Sequence, residues 1–465
     1  MEKSLLSSDA RGKGVLVDEV VKTDDDRISI LPTDLLLKIL SSLTIEEAVR
    51  TSALSKRWMN VWKETADLCV DMRYITLSKN IFIDVSPYAA RWMTKVINDH
   101  NGRFERVTIN HYPYQCEDGT VEAWIHSLIH VKHVKHLNLV NYIIRFIAKT
   151  KTNYTLDLPP QSFSHPNLES FYLGRYNLKD PHAFRSCSNL KSLKLVGVFA
   201  EIEVFNAVLL SCPSLQVLVV KINCYEQSGP LIIGNRNLKF LYLSGYQIDG
   251  FEVVAPSLEI LTVQSLSCEM DKFVMTNPRL QFSRNYWATG QLYSHTSYCI
   301  SCPPQDKSSI GHEVMISASS EYMQRSASMS VSLDLTNAKE VDMLNEVLSV
   351  WPVEMEELEI VFKNNNAPME ELESCIGSTK RNFWEETKPF PSRYFRAYTV
   401  WLINFSGSKE EFALASCLIA QGTVVKKMLI RPSSIPLSNK FEIEEAVTRL
   451  NELPKCYTKL SITTF

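Results

Sequence analysis

The sequence has 465 residues, a formal net charge of −3 and 45% apolar residues, so it can form a large core and more than one domain. This charge gives no reason to expect nucleic acid or an anionic membrane surface as a partner. No run approaches the roughly 18 apolar residues typical of a transmembrane helix. The 11 cysteines are scattered along the chain, which is typical of reduced thiols in the cytoplasm or nucleus.

The first 72 residues divide into a polar tail and a helical module. Residues 1–25 lack the apolar stretch of a secretory signal, and we expect a disordered tail. Residues 26–72 predict three short helices. Pro32 suits a first helical position, and Thr44 with Glu47 forms a capping box for the second helix. The third helix is expected through Leu54. Apolar residues recur at helical spacing in the first helix: Leu35, Leu36, Ile39, Leu40 and Leu43.

This module carries more apolar surface than about 40 residues can bury alone. Leu37 cannot share the helix face of Leu35 and Leu36, so apolar side chains point in at least two directions. Trp58 and Trp62 lie one turn apart on a single face if the third helix forms. Two interpretations follow: the module docks on a partner, or its helices pack on the rest of the chain.

Three short stretches decide between these interpretations. They are the Leu31-Pro32 pair, Leu36-x-x-Ile39-Leu40, and the run RTSALSKRW from Arg50 to Trp58. Together they closely resemble an F-box, above all that of plant F-box proteins with leucine-rich repeats. The resemblance implies binding to the Skp-type adaptor of cullin–RING ubiquitin ligases. The family's adaptor contacts carry over to Leu31, Pro32, Ile39, Leu40, Leu54, Ser55, Lys56 and Trp58. Met59 and Asn60 depart from the basic or aromatic residues frequent there.

A repeated phrase follows the F-box: an apolar residue, a second at +3 and a third at +5. It begins at Leu168, Leu190, Leu215, Leu238 and Leu258, with a degenerate copy at Val134. The intervals of 22, 25, 23 and 20 residues fall within the range of leucine-rich repeats, whereas an ordinary α/β domain would not keep such a register. The phrases also resemble the imperfect repeats of plant F-box proteins.

Strand alternation predicts which side chains of the repeats are free to bind. Residues at +3 and +5 point into the core, so residues at +2 and +4 point to the concave face. The candidate target-binding residues on that face are Tyr172, Lys194, Val217, Val219, Phe240, Tyr242 and Ile260. An exposed apolar stripe of this kind marks a recognition surface. The alternative is that a later segment of the chain covers it.

The phrase fails after Leu280, and a loop is expected near residues 283–312. Strands are predicted at 329–335 and 358–362, with a helix over 339–348 between them. We interpret residues 73–380 as an irregular leucine-rich-repeat solenoid, which needs a cap to close its last core layer.

Residues 381–465 predict that cap. A strand near YFRAYTVWLINF precedes a helix that Ser408 and Glu411 begin and Gly422 ends. The strand VVKKMLIR, a helix to Pro454 and a last strand follow. With Trp384, this order resembles the FBD domain that follows leucine-rich repeats in the plant F-box group. The expected fold is therefore an α+β or α/β solenoid with an N-terminal F-box and an FBD-like cap.

No catalytic constellation is found in the sequence. His295, Cys299 and Cys302 have zinc-like spacing but lack a fourth ligand. His126 and His130 share a predicted helix face, but Ser127 stands where the glutamate of H-E-x-x-H belongs. We therefore expect no catalytic residues, no metal and no cofactor.

The resemblance implies a non-enzymatic substrate receptor of an SCF-type ubiquitin ligase, acting in the nucleus or cytoplasm. Its partners would be the adaptor, the cullin and RING subunits reached through the adaptor, and a target protein. Two alternatives stay open at this point: a sensor whose concave face needs a small ligand, and a non-degradative scaffold.

Overall fold

The computed structural model describes most of the chain in thirteen stretches. They are residues 28–74, 88–142, 154–266, 268–277, 280, 287–288, 291–292, 294–300, 321–322, 326–349, 354–363, 395–433 and 440–465. The predicted tail, Trp384 and most of the predicted 283–312 loop lie outside these residues. No helix within the described stretches is long and apolar enough to cross a membrane.

The F-box region contains helices α1 (Thr33–Leu40) and α2 (Ile45–Arg50), followed by 3₁₀ turns at Thr51–Ala53 and Val61–Glu64. The predicted capping box is confirmed, since the Glu47 N–H donates to Thr44 Oγ1 and the Thr44 N–H donates to Glu47 Oε2 at 2.9 Å. That backbone hydrogen bond from Thr44 lowers the pKa of Glu47. The predicted third α-helix is wrong, because 3₁₀ and other turns occupy its place.

The remaining described α-helices flank a large sheet. They are α3 (Tyr88–Asp99), α4 (Thr120–His126), α5 (Ile202–Leu210), α6 (Ala338–Ser349), α7 (Lys409–Ala420) and α8 (Lys440–Glu452). The strands of the first half are β1 (Asp67–Asp71), β2 (Arg106–His111), β3 (His136–Asn141), β4 (Tyr154–Leu156), β5 (Ser170–Gly174), β6 (Tyr176–Leu178), β7 (Ser192–Phe199), β8 (Val217–Asn223), β9 (Pro230–Gly234), β10 (Phe240–Tyr246), β11 (Gly250–Val254), β12 (Ile260–Leu266) and β13 (Phe273–Thr276). Those of the second half are β14 (Trp287–Ala288), β15 (Gln291–Leu292), β16 (His295–Cys299), β17 (Ser328–Leu333), β18 (Glu354–Phe362), β19 (Arg396–Phe405), β20 (Val424–Pro432) and β21 (Ser461–Thr464).

The predicted repeat phrases each form a strand of one parallel sheet. Its first half runs β1–β2–β3–β5–β7–β8–β10–β12, with every neighbouring pair parallel. The +3 and +5 residues of all five phrases are at most 1% exposed, as alternation along a strand predicts. Strands β9, β11 and β13 form a second, small parallel sheet in the connections.

The strand direction of the large sheet reverses between β12 and β16, and the short strands β14 and β15 pair in antiparallel register beside β12. Strand β16 pairs with β12 in antiparallel register, with Ile260 opposite Tyr298. Strands β17 to β21 then continue in parallel to β16. Crossovers between parallel strands are right-handed almost without exception. Reversing the strands while the sheet extends in the same direction therefore moves the crossover helices to the opposite face.

Two hydrophobic cores result, one on each face of the sheet. The first core contains the inward residues of β1 to β12 and the connections behind them. The second contains α6, α7 and α8 packed on β16 to β21. At the junction, Leu261 and Cys299 belong to the first core, whereas Ile260 and Tyr298 belong to the second.

The predicted order of elements at the C-terminal end is confirmed. Strand β19, α7, β20, α8 and β21 follow one another as expected, and Gly422 adopts the left-handed backbone (φ +67°) just after α7. The predicted strand at 358–362 begins earlier, at Glu354, and the predicted 339–348 helix is α6. The 381 domain boundary lies outside the described residues.

Glu411 organises the start of α7 and gives a stability test. Its Oε2 accepts hydrogen bonds from the N–H groups of residues 406, 407 and 408 and from Ser406 Oγ, at 2.8–3.2 Å. Because these donors would lose a charged acceptor, Glu411→Ala should lower the free energy of unfolding by about 1.5–3 kcal/mol. Chemical denaturation measures this change. Glu410→Ala, at an exposed neighbour, should cost less than about 1 kcal/mol, and equal effects would contradict the assigned role.

Candidate functional site

The inner face of the F-box packs on the first strand of the sheet. Leu36, Leu40, Trp58 and Trp62 join the same hydrophobic core as Leu68 of β1. Leu40 and Trp58 are each 2% exposed. Both side chains therefore belong to the first core of the unbound chain, and their direct contact with an adaptor stays a prediction.

Backbone hydrogen bonds fix the F-box on the repeats. The Lys63 carbonyl accepts from the N–H groups of Asn101 and Gly102 at 2.9 and 3.1 Å, and the Glu105 N–H donates to the Ala66 carbonyl at 2.7 Å. The buried His100 side chain bonds the Thr65 carbonyl at 2.9 Å. Burial lowers the pKa of His100 to about 4, so the imidazole is neutral and its Nε2–H donates this bond.

The F-box exposes a concentration of apolar side chains. Sixteen large hydrophobic residues are exposed among the described residues, and six of them lie between residues 28 and 59. These six, called the outer F-box surface below, are Ile28, Ile30, Leu35, Ile39, Leu54 and Met59. Leu54 is 64% exposed. Clustered exposed apolar side chains of this kind mark interaction sites more often than singly scattered ones.

The other six predicted adaptor contacts divide between exposed and half-buried positions. Pro32, Ile39, Leu54 and Lys56 are exposed, whereas Leu31 and Ser55 are half-buried. Ser55 Oγ lies 2.8 Å from Ser29 Oγ, and the Arg57 side chain donates to the Ser29 carbonyl. These contacts hold residues 28–31 beside Leu54.

Four members of the outer F-box surface were not among the predicted adaptor contacts: Ile28, Ile30, Leu35 and Met59. The i, i+4 spacing of Leu35 and Ile39 carried the signal for one of them, because this spacing places both on one helix face. The buried residues Leu36 and Leu40 lie on the neighbouring face with the same spacing.

Two of the seven predicted target residues, Tyr172 and Lys194, lie on the face of the first half that is opposite the first core. Thr108, Asn138, Tyr172 and Lys194 face one another across β2, β3, β5 and β7 in direct register. All four are half-buried. Asn138 Nδ2 donates to Thr108 Oγ1 at 3.1 Å. Lys194 Nζ lies 5.4 Å from the ring centre of Tyr322, and burial lowers the pKa of this lysine.

The other five predicted target residues are buried, which corrects the exposed-stripe prediction. Val217, Val219, Phe240, Tyr242 and Ile260 are at most 1% exposed and belong to the second core. The ring of Tyr322 lies 4.8 Å from that of Tyr242. The reversal at β16 is the physical reason, because it places the helices of the second half on the side to which these residues point. The alternative, that a later segment covers the stripe, is what the structure shows.

The residues considered for catalysis or metal binding have structural partners. His295 is fully buried between Ser328 Oγ at 2.9 Å and Ser297 Oγ at 3.1 Å, and Cys302 lies outside the described residues. The rings of His126 and His130 lie 5.4 Å apart, and His130 Nε2 bonds the Ser162 carbonyl. Within the described stretches, no group of three or more His, Cys, Asp or Glu side chains could hold a metal ion.

One cysteine–histidine contact escaped the sequence analysis. Cys116 Sγ lies 3.5 Å from His111 Nδ1. Burial, followed by the Glu122 charge, raises the pKa of the Cys116 thiol, and burial lowers the pKa of His111 to about 4. A nucleophilic cysteine needs a lowered pKa. Both groups are therefore neutral at pH 7, and His111 Nε2 accepts from the Tyr176 hydroxyl at 2.6 Å.

The fold and the site define a leucine-repeat protein with an N-terminal helical module. A family model for the F-box domain matches residues 28–66, and a model described as the LRR repeats of the FBD-associated F-box protein At5g56370 matches residues 121–283.

Similar proteins extend this likeness over nearly the whole chain. The F-box protein At1g80960 of Arabidopsis thaliana is 44% identical over 96% of this chain and 92% of its own length. The F-box protein At3g60790 of the same plant is 42% identical over 99% and 93%. The F-box/FBD/LRR-repeat protein At1g13570 is 28% identical over 51% and 53%. The chain belongs to the plant F-box/FBD/LRR-repeat family.

Proposed function

We propose that this chain is the substrate-recognition subunit of an SCF-type ubiquitin ligase. In this proposal the outer F-box surface binds a Skp-type adaptor, which links the chain to cullin and RING subunits. The repeats and the C-terminal half bind a target protein, and the complex acts in the nucleus or cytoplasm. The observation that carries the proposal is the concentration of exposed apolar residues on the outer face of a module whose inner face is already buried.

The proposed chemistry is positioning rather than bond making by this chain. Holding a target beside the ubiquitin-charged enzyme converts a bimolecular encounter into an effectively intramolecular one. F-box/LRR proteins are generally non-catalytic adaptors, and the neutral Cys116–His111 contact fits that role. The ligand-dependent alternative is less well supported, since the cationic Lys194 of the inferred concave face already lies over the Tyr322 ring.

The proposed organisation follows the sequence boundaries. Residues 26–72 form the F-box, 73–380 an irregular leucine-rich-repeat solenoid, and 381–465 an FBD-like domain. Because β16 to β21 continue the large sheet, we propose that the FBD-like part extends the repeat sheet and also closes it. On the repeats, Tyr172 and Lys194 remain the proposed target contacts.

Substitution of exposed residues separates binding from folding. Ile39→Asp combined with Leu54→Asp should weaken adaptor binding at least 100-fold, because two carboxylates would enter an apolar interface. Biolayer interferometry with a purified Skp-type adaptor measures the affinity. The free energy of unfolding should change by less than about 1 kcal/mol, since both side chains are exposed.

The matched control places the same charge at a remote exposed site. Leu210, at the end of α5, is 86% exposed, and Leu210→Asp should leave adaptor binding unchanged. Full binding by the Ile39/Leu54 double variant would sink the proposed interface.

A further inference from the structure

The reversal of strand direction gives the second half of the sheet a face on which no helix of the described residues packs. Leu358, Val400, Met428 and Ile462 lie side by side across β18 to β21 and point into the second core. The neighbouring residues along these strands must point the other way. This face therefore lies on the opposite side of the sheet from Tyr172 and Lys194. We call it the C-terminal open face.

Aromatic side chains stand at the centre of the C-terminal open face. One row across the strands is Glu359, Trp401, Leu429 and Thr463. Trp401 is half-buried, and its ring centre lies 5.8 Å from that of Phe465, which is 70% exposed. Ile403 and Leu429 beside them are each 7% exposed, so the two aromatic rings are the parts of this apolar patch that reach solvent.

Charge is segregated on either side of Trp401. Strand β18 carries four glutamates, Glu354, Glu356, Glu357 and Glu359, whereas β20 carries the exposed Lys426, Lys427 and Arg431. A second row across the face reads Glu357, Thr399, Lys427 and Ser461. Burial, followed by repulsion from Glu359 and Glu356, raises the pKa of Glu357. A positively charged residue of a partner would therefore stabilise the ionised carboxylates on this side.

We propose that the C-terminal open face binds a protein segment with one apolar anchor residue between a basic and an acidic residue. The anchor packs on Trp401 and Phe465, the basic residue faces β18, and the acidic residue faces β20. Tryptophan at the centre of a patch is a frequent hot spot of protein interfaces, and segregated charge fixes the direction of the bound segment. The biological use of this face as a target site rests on the proposed receptor function, but its peptide binding does not.

A displayed library of random twelve-residue peptides, selected on the intact chain, tests this inference. We expect enriched peptides in which an apolar residue stands between a basic and an acidic residue. The basic residue can stand on the N-terminal or the C-terminal side of the apolar one, because the charges then set which way the peptide lies on the face. The best peptide is then synthesised, and fluorescence anisotropy measures its affinity. Trp401→Ser and Phe465→Ser should each weaken binding at least tenfold. Phe465 is exposed, so its variant tests the face even if Trp401→Ser fails to fold.

Charge reversal supplies the sharper test. Glu357→Lys with Lys427→Glu should reduce binding of the selected peptide and favour its charge-reversed version. The control, Glu105→Lys with Lys135→Glu, reverses an exposed ion pair of 2.7 Å in the first half and should change neither affinity.

Three outcomes would overturn the inference. The first is the absence of patterned peptides, and the second is peptides that bind all variants equally. The third is a dimer of the chain that Phe465→Ser dissociates, which would show that a second copy of the chain occupies this face. Adaptor binding is measured on the same variants. All of these variants should keep adaptor binding. An intact chain that binds the adaptor but selects no patterned peptide would contradict this inference alone, whereas an intact chain that selects the peptides but does not bind the adaptor would contradict the receptor function alone.

Discussion

Phe240→Ala is expected to lower the free energy of unfolding by about 3–5 kcal/mol. The Phe240 side chain is fully buried in the second core, although its strand belongs to the first half of the sheet. Removing the ring would leave a cavity at the junction of the two halves. Denaturant unfolding followed by circular dichroism measures the change.

A residue of the same strand provides the control for this substitution. Tyr246 lies at the other end of β10 and is 62% exposed. Tyr246→Ala should change stability by no more than about 0.5 kcal/mol. If Phe240→Ala were equally mild, Phe240 would not be buried and the reversed arrangement of the two halves would be wrong.

Trp58→Ala should destabilise the F-box by about 3–5 kcal/mol, because the ring is 2% exposed in the first core. Adaptor binding should fall as a consequence, since the outer F-box surface needs a folded module behind it. Limited proteolysis within residues 28–66 and adaptor affinity are measured together. The proteolysis rate should rise in step with the loss of binding.

The adjacent residue separates a contact from a structural role. Met59 is 49% exposed, so Met59→Ala should weaken adaptor binding while the F-box stays resistant to proteolysis. A Trp58→Ala variant that resists proteolysis yet loses the adaptor would show that the indole itself is the contact.

Much of the fold could be predicted from local patterns. The +3/+5 phrase predicted the positions of strands β5, β7, β8, β10 and β12. A period of two along a strand also fixes which of their residues are buried. Helix α7 was equally predictable, since Ser408, Glu411 and Gly422 each supply a local start or stop signal.

The reversal at β16 could not be predicted in the same way. It depends on which strand β16 joins, and no local period specifies the partner or the direction of a strand. One signal was nevertheless present in the sequence. Strands β8, β10 and β12 begin VLVV, FLYL and ILTV, and near-continuous apolar runs are typical of parallel strands buried on both faces. The residues at +2 and +4 of these three phrases are therefore core residues rather than a binding stripe.

The F-box shows the same limit at the level of single residues. Leu36 and Leu40 are buried, whereas Leu35 and Ile39 are exposed, although all four recur at helical spacing. The pattern indicates two apolar faces without telling which packs on β1. That choice is made by tertiary packing, since Leu36 and Leu40 belong to the same core as Trp62 and Leu68.

Hydrogen exchange of the intact chain, with and without a purified Skp-type adaptor, tests the central claim most directly. The adaptor should slow exchange of backbone amides in residues 33–40 and 51–59, next to the outer F-box surface, and leave residues 217–263 unchanged. Failure to form a complex, or protection confined to the repeats, would contradict the assignment of this surface and the receptor function built on it.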